Sequence, residues 1–144
     1  MIQVKVKKLL PDAKLPEFAN DYAVGADLFA AEETTLHPFD IKAIGTGIAI
    51  ELPDNYQAEI RSRSGLALKH GIFVLNSPGT IDPDYRGEIK VILCNLSYEA
   101  FHVKKHMKIA QLVIMPRIPV KFTLTDELSK TERNTNGFGS TGYF

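Results

Sequence analysis

Apolar and polar residues alternate with a period of two over much of this chain. Ile2, Val4 and Val6 alternate with polar residues at the start. Ile48, Ile50 and Leu52 alternate with Ala49 and Glu51, and Tyr56, Ala58 and Ile60 with Gln57, Glu59 and Arg61. Val120, Phe122 and Leu124 alternate with Lys121, Thr123 and Thr125. A strand sends successive side chains to opposite faces, so each stretch predicts a strand with one buried face. Ile72 to Leu75, Ile89 to Leu93 and Leu112 to Met115 are short continuous apolar runs, which suit strands covered on both faces. Turn residues separate them at Pro53-Asp54-Asn55, Ser77-Pro78-Gly79, Asp82-Pro83-Asp84 and Asn95-Leu96-Ser97. Gly79 to Gly87 reads as a hairpin between strands Ile72–Asn76 and Ile89–Asn95. One helix of barely two turns is predicted, capped by Ser64, filled by Leu66 and Leu68 and ended by Gly71. Many short strands and one short helix predict an all-β fold, a sandwich, jelly roll or small barrel.

The length of 144 residues predicts a single domain over 1–144, and 44% apolar content supplies a core. The pattern divides it into a β core over 1–124 and a polar, Gly-rich arm over 125–144. The formal net charge is zero, so no basic excess argues for duplex nucleic acid or a membrane surface. The one cysteine, Cys94, lies in an apolar run and reads as a small core residue. His37, His70, His102 and His106 show no zinc-ligand spacing. No apolar run approaches the ~20 residues of a membrane span, and the start reads as a strand instead of a signal peptide. A soluble, intracellular, cytoplasmic protein is the expectation.

Three segments carry candidate chemistry. Gly137-Phe138-Gly139-Ser140-Thr141-Gly142, with Arg133 upstream, combines turn-forming glycines, hydroxyl donors and a guanidinium suited to phosphate oxygens. Phe138 adds a flat apolar face of the kind that stacks on a nucleobase. The same composition also describes an ordinary disordered chain end. Arg61-Ser62-Arg63-Ser64-Gly65-Leu66-Ala67 leads basic and hydroxyl groups into a helix N-terminus, where an anion is favoured; a capped helix with solvated arginines looks alike. Gly79-Thr80-Ile81-Asp82-Pro83-Asp84-Tyr85-Arg86-Gly87 crowds two carboxylates and a tyrosine at one tip. It reads as a plain turn or as the seat of a general base.

Together these segments resemble the trimeric dUTPases, the deoxyuridine triphosphate nucleotidohydrolases, whose five motifs occur here in order. They are Gly25-Ala26-Asp27-Leu28-Phe29-Ala30-Ala31, Arg63-Ser64-Gly65-Leu66-Ala67, Gly79 through Glu88, Ile109-Ala110-Gln111-Leu112-Val113-Ile114, and Arg133 through Gly142. Three places depart from the family pattern. His106, Met107 and Lys108 precede the fourth motif where a glycine usually starts the turn, Asn134 and Asn136 stand in a usually glycine-richer fifth motif, and Ser62 stands where many members have proline. His and Asn both tolerate positive φ, so the turn and a slightly stiffer tail are expected to survive.

The resemblance implies a distorted jelly roll with a flexible C-terminal tail, assembled as a homotrimer with active sites shared between chains. It implies hydrolysis of dUTP to dUMP and pyrophosphate by water attack on the α-phosphate, assisted by Mg²⁺. That reaction limits uracil incorporation into DNA and supplies dUMP for thymidylate synthesis. By the same resemblance Asp82 orients the attacking water and is the catalytic residue. Asn76 and the backbone of Thr80, Ile81 and Lys90 read the uracil edge, and Tyr85 packs under the deoxyribose. Arg63, Ser64, Gly65 and Gln111 contact the phosphates. Phe138 stacks over the base while Arg133, Gly139, Ser140 and Thr141 close on the terminal phosphate, and Asp27 lies near the Mg²⁺ through water. Two other readings share the fold, a dCTP deaminase and a non-catalytic nucleotide-dependent regulator. Asp82 and the complete tail favour the hydrolase.

Overall fold

The structure, a computed structural model, describes all of Met1–Phe144. It contains eleven strands and one helix: β1 (Lys5–Lys8), β2 (Ala26–Phe29), β3 (Thr34–Leu36), β4 (Ile41–Gly45), β5 (Ile48–Glu51), β6 (Tyr56–Arg61), α1 (Ser64–His70), β7 (Ile72–Val74), β8 (Gly79–Ile81), β9 (Lys90–Asn95), β10 (Phe101–Val103) and β11 (Lys108–Pro116). A four-stranded sheet runs β2-β11-β6-β8 and a three-stranded sheet β4-β9-β7, with ribbons β1-β5 and β10-β3 beside them. Every strand pair is antiparallel. The fold is the expected jelly roll.

Alternation explains how the layers close. In β6, Ala58 and Ile60 face inward, and their partners across the sheet, Ile114 and Leu112 on β11 and Ile81 and Gly79 on β8, share that face. Ala58, Ile60, Leu112 and Ile81 meet Ile44, Val91, Leu93, Ile72 and Val74 from the second sheet and Ile48 and Ile50 from β5 in one cluster of 20 buried apolar residues, against which Ile114 packs. Cys94 is buried, as its apolar run predicts. One polar side chain is wholly enclosed. Asn95, 0% exposed, donates from Nδ2 to the carbonyls of Leu36 (3.0 Å) and Glu99 (2.7 Å) and accepts from the N–H (3.0 Å) and hydroxyl (2.8 Å) of Ser97. It pins β9 to the ends of β3 and β10.

Four expectations are corrected. Val120, Phe122 and Leu124 form no strand; β11 ends at Pro116 and the chain beyond is irregular. Phe122 and Leu124 are 95% and 97% exposed and pair with no strand. The arms Ile72–Asn76 and Ile89–Asn95 do pair, as β7 with β9, but the connection between them is not a simple turn: its Gly79–Ile81 is strand β8, which pairs with β6 in the other sheet. The apolar pattern of β8 fits either sheet, and only the tertiary partner decides. Ser64 is the first helical residue and not the cap, which is Arg63 without a side-chain bond. Ser62 instead accepts the N–H of Val74 at 2.8 Å. Leu68 is exposed, and Leu66 alone packs against the core. Gly71 does end α1, at φ 66°.

His106 adopts φ 66°, so the turn before β11 survives without glycine. Its ring Nε2 lies 3.0 Å from the Asp12 carbonyl, and the neighbouring Lys105 pairs with the Asp12 carboxylate. That ammonium holds the Asp12 carboxyl below its ordinary range. A lowered folded value means the pair favours the folded state at neutral pH and loses that contribution as the pH falls through the carboxylate range.

Asn95→Leu should destabilise the fold, since an apolar side chain orphans the buried carbonyls and the Ser97 donors. Each orphaned group costs about 1–3 kcal/mol. Urea unfolding at fixed protein concentration should show a lower midpoint with an unchanged slope.

Candidate active site

The four-stranded sheet has two faces of different chemistry. Residues directly opposite across a ladder share a face. Gln111 on β11 lies opposite Asp27 on one side and Arg61 on the other, so all three share the face away from the core. A bulge between Lys108 and Ala110 shifts the pairing, so that Lys108 faces Phe29. Without it Lys108, three residues from Gln111, would point into the core. The extra residue returns it to the side of Asp27 and Gln111. Gly25 allows Gln111 to lie close, since a Cβ there would meet the Gln111 Cβ at 3.0 Å.

Asp27 is 4% exposed, and both its carboxylate oxygens have cationic partners: Lys108 Nζ at 2.7 Å and Arg63 Nε at 3.5 Å. Arg63 is held a second time, by Nη1 donating to the Lys108 carbonyl at 3.4 Å. A buried carboxylate is tolerable only when paired in this way. Each carboxylate oxygen thus faces one cation, and the carboxylate tethers Arg63 beside Lys108. No group of three His, Cys, Asp or Glu side chains is placed to cage a metal ion. The convergence of Arg63 and Lys108 on Asp27 depends on the bulge, which no local pattern announces.

Arg63, Ser64, Gly65 and Gln111, four of the sequence-predicted residues, line one cleft of about 240 Å³ at the start of α1. Lys69 and His70 line it too, and the sequence reading missed them. Their position in the last turn of a helix that buries no residue was the signal available.

A second cleft, of about 330 Å³, opens between β8 and β9. Asn76, Thr80, Ile81, Asp82, Tyr85 and Lys90 line it, which brings six further predicted residues together. Its apolar floor includes Ile60, Ile89 and Ala43. β8 is the edge of its sheet, so alternate residues present main-chain N–H and C=O groups outward. A planar heterocycle with its own donors and acceptors can pair with such an edge as a strand would. The Asp82 carboxylate is exposed and makes no side-chain hydrogen bond within the protein, whereas Asp84 does not line the cleft. Glu88 is a cleft residue that was not singled out, although it lies within the third motif.

The two clefts have no lining residue in common. The tail joins neither. Arg133, Phe138, Gly139, Ser140 and Thr141 are exposed and line neither cleft, and Phe138 is fully exposed. The tail bonds only to itself, through Arg133 Nε to the Asn136 carbonyl (2.8 Å) and turns closed by the N–H groups of Ser140 and Gly142. Asn134 takes positive φ, at 44°, as its side chain permits.

Comparison with known proteins gives one result. A dUTPase family model matches residues 11–142. A deoxyuridine 5'-triphosphate nucleotidohydrolase of Alkaliphilus metalliredigens is 56% identical over 142 residues, covering 99% of each chain. One of Clostridium acetobutylicum is 54% identical over 142 residues, covering 99% of this chain and 98% of its own. Among solved structures, a mutant Staphylococcus bacteriophage 80alpha dUTPase with dUpNHpp superposes with a TM-score of 0.92 at 27% identity, over 99% of this chain and 100% of that one. A mutant dUTPase of S. aureus phage phi11, in which a structural Mg(II) ion is coordinated, shares the fold at a TM-score of 0.83, 24% identity and 90% of this chain.

Asp27→Asn should lower stability in the absence of any metal. Lys108 and Arg63 are partly exposed, so the loss should be about 1–2 kcal/mol. Denaturant unfolding in excess chelator reads it. An unchanged midpoint would mean that the carboxylate is not supported by its two cations.

Proposed function

The chain belongs to the dUTPase family and hydrolyses dUTP to dUMP and pyrophosphate, and we propose that its two clefts divide the nucleotide between them. The β8 cleft takes the base and sugar, and the α1 cleft takes the phosphates. The observation that carries this reading is the unpaired Asp82 carboxylate, set among main-chain donors and acceptors at a sheet edge.

In the β8 cleft, Asn76 and the backbone of Thr80, Ile81 and Lys90 match the uracil edge and mismatch cytosine. Attraction alone discriminates one methyl group by only ~1–3 kcal/mol. Thymine is therefore rejected by a wall that has no room for its methyl, and β8 is close-packed enough to supply one. A Cβ on Gly79 would meet Ile60 Cβ and Asn76 Nδ2 at 3.2 Å. Tyr85 lies under the deoxyribose and excludes a 2′-hydroxyl.

At the reacting centre Asp82 accepts a hydrogen bond from water and orients it toward the α-phosphorus. The water oxygen bonds to phosphorus, its proton passes to the Asp82 carboxylate, and the bridging oxygen leaves with pyrophosphate. Arg63, fixed by Asp27, stabilises the charge that develops on the phosphates, with Ser64, Gly65 and Gln111 completing the contacts. The substrate is the Mg²⁺ complex of the nucleotide, the metal arriving on phosphate oxygens, where it neutralises charge.

A triphosphate nucleotide must touch both clefts, yet on one protomer they share no wall. Three copies of the chain around a common axis let the β8 cleft of one face the α1 cleft of another. The exposed Val120, Phe122 and Leu124 then find a neighbour to cover them, and the arm brings Arg133, Phe138, Gly139, Ser140 and Thr141 over the bound nucleotide. Phe138 stacks on the base while the glycines and hydroxyls wrap the terminal phosphate. Hydrolysis of dUTP belongs with the cytoplasmic deoxynucleotide pool. There it limits uracil incorporation into DNA and supplies dUMP.

Asp82→Asn keeps the shape and removes the basic oxygen. Pyrophosphate release from dUTP should fall by ~10²–10⁴-fold, the usual contribution of a general base. Binding of a non-hydrolysable analogue should change little. Near-normal turnover would eliminate Asp82 as the base.

A further inference from the structure

Gly87 stands beside Tyr85 in the loop that leads from the β8 cleft into β9. Its φ lies outside the left-handed range, so backbone conformation does not require glycine there. Space does. A Cβ at position 87 would lie 2.6 Å from Tyr85 Cζ and 3.0 Å from Cε2, and closer still to the phenolic oxygen. The tyrosine ring is folded back over the glycine and occupies the volume a side chain would take.

The outer end of the ring is held as well. Tyr85 donates its hydroxyl to the Glu88 carbonyl at 3.0 Å. Glu88 is in turn fixed to the turn between β4 and β5, its carboxylate accepting the Gly47 N–H at 3.0 Å. The ring therefore rests between a glycine floor and an anchored acceptor. Tyr85 remains 46% exposed, so a ring pushed off this seat has solvent to move into. A methyl at position 87 should displace the ring without destroying the fold.

We propose that Gly87 is a positioning residue for sugar selection: by lacking a side chain it seats the Tyr85 ring where that ring excludes a ribonucleotide. This rests on the reading of Tyr85 as the wall beneath the deoxyribose.

The test compares kcat/KM for dUTP and UTP in the wild type, Gly87→Ala, Tyr85→Ala and the double variant, with thermal melting of each. Tyr85→Ala should lose most of the preference for dUTP. Gly87→Ala should lower the dUTP/UTP ratio by about tenfold or more, the scale on which a shaped pocket rejects one added hydroxyl. The double variant should match Tyr85→Ala, because with no ring to displace the added methyl has nothing left to disturb. If Tyr85→Ala keeps the ratio, the sugar-wall reading fails and this proposal falls with it. If Tyr85→Ala loses the ratio while Gly87→Ala keeps it, or the double variant loses clearly more than Tyr85→Ala, the seat alone is wrong. Should Gly87→Ala fail to fold, recovery of folding in the double variant supports the ring clash. A double variant that also fails to fold overturns the proposal.

Discussion

The pairing of β11 between β2 and β6 is the constraint on which the site depends. A slip of one residue would turn Gln111 into the core and bring Ala110 or Leu112 outward. In the register observed, Gln111 is level with Asp27 and Arg61, and the bulge after Lys108 adds that lysine to the same face. Strands from three parts of the chain thus contribute to one charged surface, and the buried Asp27 ties it together by holding Lys108 and Arg63. The apolar residues of the same strands fix the register from the other side, since Leu28, Ile60, Ala110 and Leu112 all belong to the core. The core and this charged surface are two faces of one sheet.

The β8 cleft is built differently. It sets main-chain groups and close packing beside its charged residues Asp82, Glu88 and Lys90. An edge strand offers unpaired N–H and C=O groups, which most proteins must hide. Here the edge is only three residues long and is flanked by the loop carrying Asp82 and Tyr85, so it is a poor template for another strand. Gly79, Gly87 and Gly45 let neighbouring groups approach closely around this loop. A cleft so made discriminates by shape, which suits a choice between nucleotides that differ by one methyl or one hydroxyl.

Much of this was legible in the chain. The alternation in β6 gave the buried face correctly, while in β5 Ala49 is buried along with Ile48 and Ile50, and the motif residues at Asn76, Thr80, Ile81, Asp82, Tyr85 and Lys90 converge on one cleft. Strands of three to five residues such as β3, β4 and β10 are too short for a periodic signal to stand out. The pairing of β8 with β6, the bulge at Lys108 and the two cations on Asp27 are tertiary facts, set by partners far away in sequence. The Val120–Leu124 pattern is a different case. Its alternation is real, but no strand of the fold pairs with it, and its apolar side chains are left exposed.

The central claim is that one working site draws its Asp82 and its tail from different chains. Co-refolding two inactive variants measures this directly. One carries Asp82→Asn with its tail intact; the other ends before Arg133 with Asp82 intact. Mixed trimers, verified by mass, should recover part of the dUTP-dependent pyrophosphate release, because some sites combine a sound Asp82 from one chain with a sound tail from another. Verified mixed trimers with no recovered activity would contradict the account, since the tail would then act only on the Asp82 of its own chain.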